Sequence, residues 1–292
     1  MKKRITLITK GHREDIGEYK INRILPNRYV DAIGPFVFLD HLIPAKHSPD
    51  EKRKEVDGTG AHPHRGIATL TYILNGEADH NDSNGHHALV RTGGVQWMKA
   101  GNGIIHDESI NVDVTTSELL THGMQFWINL PAKIKAEKPD YLPLQADEIP
   151  KKDLADRGWI KVIVGDYEDL ASKIPNYSKQ FIYHVHLEPH KQFSLQTQEQ
   201  MEYAAFLPIS NATINEGKFK EGEFITFDNG EGIIDLTASD EPMDVILFGG
   251  EYYSEPIVAA GPFVMNTEHE ISQAYNDFYD GKYGEIKYKN KI

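Results

Sequence analysis

The chain of 292 residues contains no cysteine. Disulfides, thiol nucleophiles and thiolate metal sites are excluded together. Any metal must therefore be held by imidazole and carboxylate. Basic residues are also scarce: 31 Lys and Arg against 44 Asp and Glu leave a net charge of −13. That balance repels a nucleic-acid backbone and an anionic membrane surface, so neither is expected as a direct partner. No apolar run approaches the roughly 18 residues of a membrane span. Met1-Lys2-Lys3-Arg4 is a basic head, but the apolar stretch after it is too short for a secretory signal and reads as a first strand. A cytoplasmic location is the expectation.

With 39% hydrophobic and 26% charged residues the chain can build real cores. Its length suits one large or two ordinary domains. Strand signals dominate. Residues 69–74 are β-branched and aromatic and end at the turn pair Asn75-Gly76; 124–130 alternate and stop at Pro131. Residues 159–164 stop at Gly165, 181–187 before Pro189, 203–207 at Pro208 and 244–248 at Gly249-Gly250. Many short strands punctuated by Gly, Asn and Pro predict an all-β sandwich or barrel.

One helix is predicted. Thr267-Glu268-His269-Glu270 fits a capping box, Ile271, Tyr275 and Phe278 follow at i, i+4 and i+7, and Gly281 is the stop. Its expected role is to seal the end of a barrel. Ala132 to Lys152 is rich in Lys, Glu, Asp and Pro and reads as the connection between two halves. The division expected is an N-terminal metal-binding domain over 1–135, a linker over 136–152, and a metal-free C-terminal domain over 153–292 that includes the helix. Gly34-Pro35-Phe36-Val37 is echoed by Gly261-Pro262-Phe263-Val264, which suggests an internal duplication.

The chemistry is concentrated between His62 and Glu108. In His62-Pro63-His64 the two imidazoles stand at i and i+2, on one face of an extended backbone. Pro63 favours that extension at His62. His106 and Glu108 repeat the spacing after Gly101-Asn102-Gly103, where glycine permits a tight turn. Two neighbouring strands, each offering two ligands, would present three imidazole nitrogens and one carboxylate to one divalent metal: Fe, Mn, Co, Ni, Cu or Zn. Four such ligands leave two open positions on a six-coordinate ion. By analogy with the two-His-one-carboxylate oxygenases, Fe(II) is the first choice.

These residues resemble the pirin family of bicupins. The resemblance is carried by Gly60-Ala61-His62-Pro63-His64-Arg65-Gly66 and by the run from Val95 to Glu108, with three further matches in order: 33–41, 124–131 and 255–267. It implies two jelly-roll cupin barrels packed face to face, with one Fe-type metal in the N-terminal barrel held by His62, His64, His106 and Glu108. It also implies either quercetin 2,3-dioxygenase activity or a non-enzymatic, metal-dependent regulatory role. One departure bears on substrate choice: the family commonly has a Phe-Glu pair where this chain has Ile67-Ala68.

Other candidates carry blander readings. His184 and His186 lie opposite the apolar face formed by Phe181, Tyr183, Val185 and Leu187 and should line a solvated face or groove. His80, His86 and His87 read as a loop near a barrel mouth, and His122 as core, pocket or edge. Gln125 is a candidate hydrogen-bonding support for the metal ligands. Arg65 should form a structural ion pair, and Trp97 should be core.

Two functions follow as expectations. The first is a dioxygenase on a flavonol-like substrate with O₂, in which the substrate hydroxyl binds the metal and Glu108 is both ligand and transient base. The second is an iron-dependent redox sensor that binds a protein partner.

Overall fold

The computed structural model describes residues 1–17, 19–48 and 58–288. Among them the chain is all-β, with two α-helices, Ala132–Lys135 and Glu268–Tyr279. No helix in the described residues is long and apolar enough to cross a membrane. The strands fall into two compact units: residues 1–12, 23–37 and 149–253, and residues 13–22, 38–148 and 254–292. These are not consecutive halves of the chain. The N-terminal strand belongs with the 149–253 segment, and the C-terminal helix belongs with the segment that holds the His-rich motifs. The helix was expected with the C-terminal half; the structure groups it with the other.

In the 149–253 unit a seven-stranded antiparallel sheet runs in the order Ile5–Lys10, Glu223–Phe227, Met201–Phe206, Met243–Glu251, Gln180–Leu187, Gly158–Val164, Lys151–Asp153. A second sheet runs Gln192–Gln196, Ile233–Thr237, Ala212–Ile214, Gly217–Phe219. Period-two alternation puts Phe193 and Leu195 inside while Gln192, Ser194 and Gln196 stay exposed. On the larger sheet Phe181, Tyr183, Val185 and Leu187 face the same core, as the alternation predicted.

In the other unit Asp140–Leu144, Val95–Lys99, Ile67–Asn75, Leu120–Asn129 and Phe36–Lys46 lie side by side. A smaller sheet orders His62–His64, Ile104–Asn111, Glu77–Asp82, His87–Arg91. Ile67–Asn75 is an interior strand of the first sheet and is buried over seven of its nine residues, so it reads as a continuous β-branched run. The stretch expected as a linker is structured. Asp140–Leu144 pairs with Val95–Lys99, and Lys151–Asp153 pairs with Gly158–Val164.

The C-terminal tail closes this unit. Val258–Ala260 pairs with Phe263–Met265, and the helix buries Ile271 and Ala274 in a cluster with Phe263, Met265 and Tyr283. Thr267 is the N-cap: its Oγ1 accepts the Glu270 N–H at 3.2 Å, while Glu270 Oε2 accepts the Asn266 N–H at 3.0 Å. Gly66 shows why the tail fits. Its φ is +82°, and a Cβ there would stand 1.9 Å from the Val264 carbonyl oxygen. Only glycine allows both the turn and the approach.

Candidate metal centre

His62–His64 and Ile104–Asn111 are antiparallel neighbours, with His106 opposite His62 and Ile104 opposite His64. Alternation then aims three rings at one point. His62 Nε2 lies 3.1 Å from His64 Nε2 and 3.1 Å from His106 Nε2. His64 and His106 are buried, and His62 is partly exposed.

The tautomers follow from the partners. His62 Nδ1 faces the Gly60 carbonyl at 2.8 Å, and His64 Nδ1 faces the Pro262 carbonyl at 3.1 Å. A carbonyl oxygen only accepts, so each Nδ1 carries a proton, and in the neutral ring each Nε2 presents a lone pair. Two lone pairs 3.1 Å apart repel unless a cation lies between them. Protonation is no ready alternative at His64. Burial, with the nearby His62, lowers its pKa to about 3, although the Pro262 carbonyl opposes the shift. Burial and the neighbours His62, His64 and His80 likewise depress the pKa of His106. The donor set therefore fits a divalent transition metal.

Glu108 occupies a related but separate place. Its Oε1 lies 3.9 Å from His106 Nδ1. Among the described residues two donor triads each fall within 4.8 Å: His62, His64 and His106, and His80, His106 and Glu108. His106 is common to both. Glu108 is held by two amides, with Gln96 Nε2 donating to Oε1 and Gln125 Nε2 to Oε2, each at 2.7 Å. Thr71 Oγ1 adds a longer bond of 3.4 Å to Oε1. Gln125 thus makes the hydrogen bond to Glu108 that a supporting role requires.

His80 is not in a loop, contrary to expectation. It lies in the strand Glu77–Asp82 directly opposite Glu108 and is fully buried. Tyr141 stacks on it at 4.1 Å between ring centroids, and its Nε2 is 3.2 Å from Asp82 Oδ2. Burial alone would lower the pKa of His80, but Asp82 and Glu108 raise it. His86 also reaches Asp82 Oδ2, at 2.8 Å, and His87 contacts Asp79 at 3.0 Å. Gln96 was missed as a site residue too. For His80 the available signal was register: it sits on the strand beside Ile104–Asn111, and that strand, Glu77–Asp82, buries alternate polar residues; Gln96 lies on Val95–Lys99 of the other sheet, where no local pattern marks it.

The remaining candidates resolve cleanly. Arg65 pairs with Asp277 at 2.6 Å, and Trp97 is buried core. His122 is buried and its Nε2 is 2.8 Å from that of His41. Ile67 and Ala68 are buried in the interior strand Ile67–Asn75. His184 and His186 share Asp244 Oδ1 at 2.9 and 3.0 Å, and Trp159 stacks on His186. The solvated face expected for this pair holds for His186; His184 is buried. A cavity of about 60 Å³ adjoins Glu108, lined among others by Tyr19, Asp40, Thr59 and Gln125.

Comparison with known proteins agrees with the motif reading. The family model described as Pirin matches residues 18–128, and the one described as Pirin C-terminal cupin domain matches residues 182–284. A Pseudomonas aeruginosa protein named "Putative quercetin 2,3-dioxygenase" is 30% identical, over 97% of this chain and 99% of its own length. A pirin-like protein of Solanum lycopersicum is 32% identical over 90% of this chain and 87% of its own. The crystal structure of quercetin 2,3-dioxygenase from Acinetobacter baumannii superposes with a TM-score of 0.89 and 28% identity, covering 98% of this chain and 100% of that one.

Proposed function

The chain belongs to the pirin family, with two cupin domains, and on that premise we propose that it is a metal-dependent dioxygenase of the quercetin 2,3-dioxygenase type. The proposed substrate is a flavonol-like enediol or phenol, with O₂ as co-substrate. The proposed ligands are His62, His64, His106 and Glu108, the metal Fe(II). The observation that carries the reading is the meeting of three imidazole Nε2 atoms, two of the rings having their Nδ1 protons already committed to carbonyls.

A bound divalent metal would supply Lewis acidity that stabilises an oxyanion on the substrate. The chain's own residues do the rest. Glu108 accepts the hydroxyl proton at a carboxylate oxygen. Gln96 and Gln125 fix the orientation of that carboxylate and keep its charge satisfied in a buried site. Trp127 Nε1 donates to Gln125 Oε1 at 3.3 Å, which steadies the amide from behind. Protein loaded with metal and mixed with quercetin under O₂ should bleach the flavonol absorbance. Failure to turn over with Fe, Mn, Co, Ni and Cu in turn would remove the dioxygenase reading.

One observation favours the second reading, an iron-dependent redox sensor that binds a protein. The cavity beside Glu108 holds about 60 Å³, far below the roughly 300 Å³ at which small-molecule pockets begin. A flavonol enters only if its lining moves. A pull-down with Fe(II)- and Fe(III)-loaded protein tests this alternative. Different captured sets support it, and identical sets refute it.

A further inference from the structure

Lys135 is buried, and the metal chemistry described above does not use it. It ends the short helix Ala132–Lys135 and is 2% exposed. Lysine is almost never fully buried unless paired. Burial lowers its pKa to about 7, although the carboxylates of Glu255 and Glu270 oppose the shift. Buried charge is costly, and apolar replacements of buried ion pairs are often neutral or stabilising. A reason other than stability is therefore needed for this residue.

Its hydrogen bonds supply one. Nζ donates to Asn129 Oδ1 and to the Val264 carbonyl, each at 2.6 Å. Asn129 turns its oxygen to the lysine and leaves its Nδ2 buried with no hydrogen-bond partner, a costly arrangement that the lysine imposes. Both acceptors adjoin the segment that carries His64. Val264 N–H donates to the Arg65 carbonyl at 3.1 Å, and Leu130 N–H, next to Asn129, donates to the Gly66 carbonyl at 3.2 Å. Gly66 itself packs against the same Val264 oxygen that Lys135 holds. Two residues earlier in the tail, the Pro262 carbonyl accepts the His64 Nδ1 proton at 3.1 Å. All of these residues belong to one compact unit.

We infer that Lys135 is a positioning residue of the metal centre. By tying the Val264 carbonyl to the end of the strand Leu120–Asn129, it holds the Pro262 carbonyl where it fixes the orientation and tautomer of the His64 ring. The inference rests on the proposed metal site and is indifferent to whether the bound metal turns over a substrate.

Co(II) loading of the full chain tests it, read by chelator competition for affinity and by the visible d–d absorption for ligand geometry. The parent is compared with Lys135→Met, which keeps the length and removes every donor, with Lys135→Arg, which keeps charge and donors, and with Lys99→Met. Lys99 is a second buried lysine, paired with Glu137 at 2.8 Å, and controls for the mere loss of one. Lys135→Met should bind Co(II) roughly ten- to a hundredfold more weakly, the range for partners that orient a metal ligand, and with an altered spectrum. Lys135→Arg should restore most of both, and Lys99→Met should leave both unchanged. Lys135→Met with the parent's affinity and spectrum overturns the inference while the metal site stands. So does an equal loss in Lys99→Met. A parent that takes up no Co(II) removes the metal site itself, and the positioning role with it. Where Lys135→Met does not keep a cooperative melt, Lys135→Gln, shorter and uncharged, takes its place and is read in the same way.

Discussion

At His64 a backbone carbonyl chooses the chemistry. Pro262 fixes the Nδ1 proton, and burial favours the neutral ring, so Nε2 is left with a lone pair to offer a metal. Glu108 is fixed in the same manner by Gln96 and Gln125. Outer partners of this kind typically set metal affinity within 10- to 100-fold. Gln96→Leu should accordingly weaken metal binding by roughly ten- to a hundredfold, measured by competition with a chelator. An unchanged affinity would mean that Glu108 does not serve the metal. His62→Ala should lose most of the metal by elemental analysis and keep its cooperative melt, since barrel cores rest on apolar packing.

His41 gives a pH prediction. Burial lowers its pKa from 6.5 to about 4. As pH falls, the unfolded chain therefore takes up the proton first. The stability this neutral ring contributes is fully present above pH 6.5 and is lost as pH drops toward 4, a total of about 3 kcal/mol. Metal-stripped protein should show a melting temperature that declines through that window. A flat profile from pH 6.5 to 4 contradicts it.

Strands and turns decide which side chains meet. The three imidazoles were legible because i, i+2 spacing on an extended backbone is a purely local rule. His80 was not, because Glu77-Ala78-Asp79-His80-Asn81-Asp82 has the composition of a loop. It becomes a strand only because Ile104–Asn111 and His87–Arg91 pair with it on either side, and such pairing is tertiary. The capping box at Thr267 was legible for the opposite reason: its whole geometry lies within four residues. Thr267→Ala should cost about 1 kcal/mol, seen as a lowered denaturant midpoint. Gly66→Ala should cost more, because a positive φ and a carbonyl 1.9 Å from the new Cβ both oppose it. Metal content should fall with it, since Val264 is two residues from the carbonyl that orients His64. A Gly66→Ala protein with full metal and unchanged midpoint would show that the tail does not position the centre.

Over the whole molecule the chain is exchanged at both ends. The sequence echo is the trace of it. Gly34 and Gly261 take φ of +52° and +55°, and each opens a tight turn into Pro and a buried Phe. Phe36 packs on Phe248 at 5.4 Å, and Phe263 packs on Tyr275 at 4.8 Å. Each turn is thus grouped with the unit built mainly from the other half of the chain. Composition shifts mark linkers, but they carry no information about which unit a terminal strand joins. For that reason the composition of 136–152 suggested a linker, whereas the stretch is strand-paired and the exchange left no mark in composition. The exchange predicts that the halves are not autonomous. A fragment of residues 1–148 keeps all four proposed ligands but lacks the Pro262 carbonyl, Phe263, the helix and Tyr283. Losing a buried phenylalanine alone costs about 3–5 kcal/mol, a large share of the 5–15 kcal/mol typical of a domain. The fragment should melt without a cooperative transition and retain little metal. If instead it unfolds cooperatively with the metal content of the full chain, then the C-terminal tail is an accessory to the centre and not part of it.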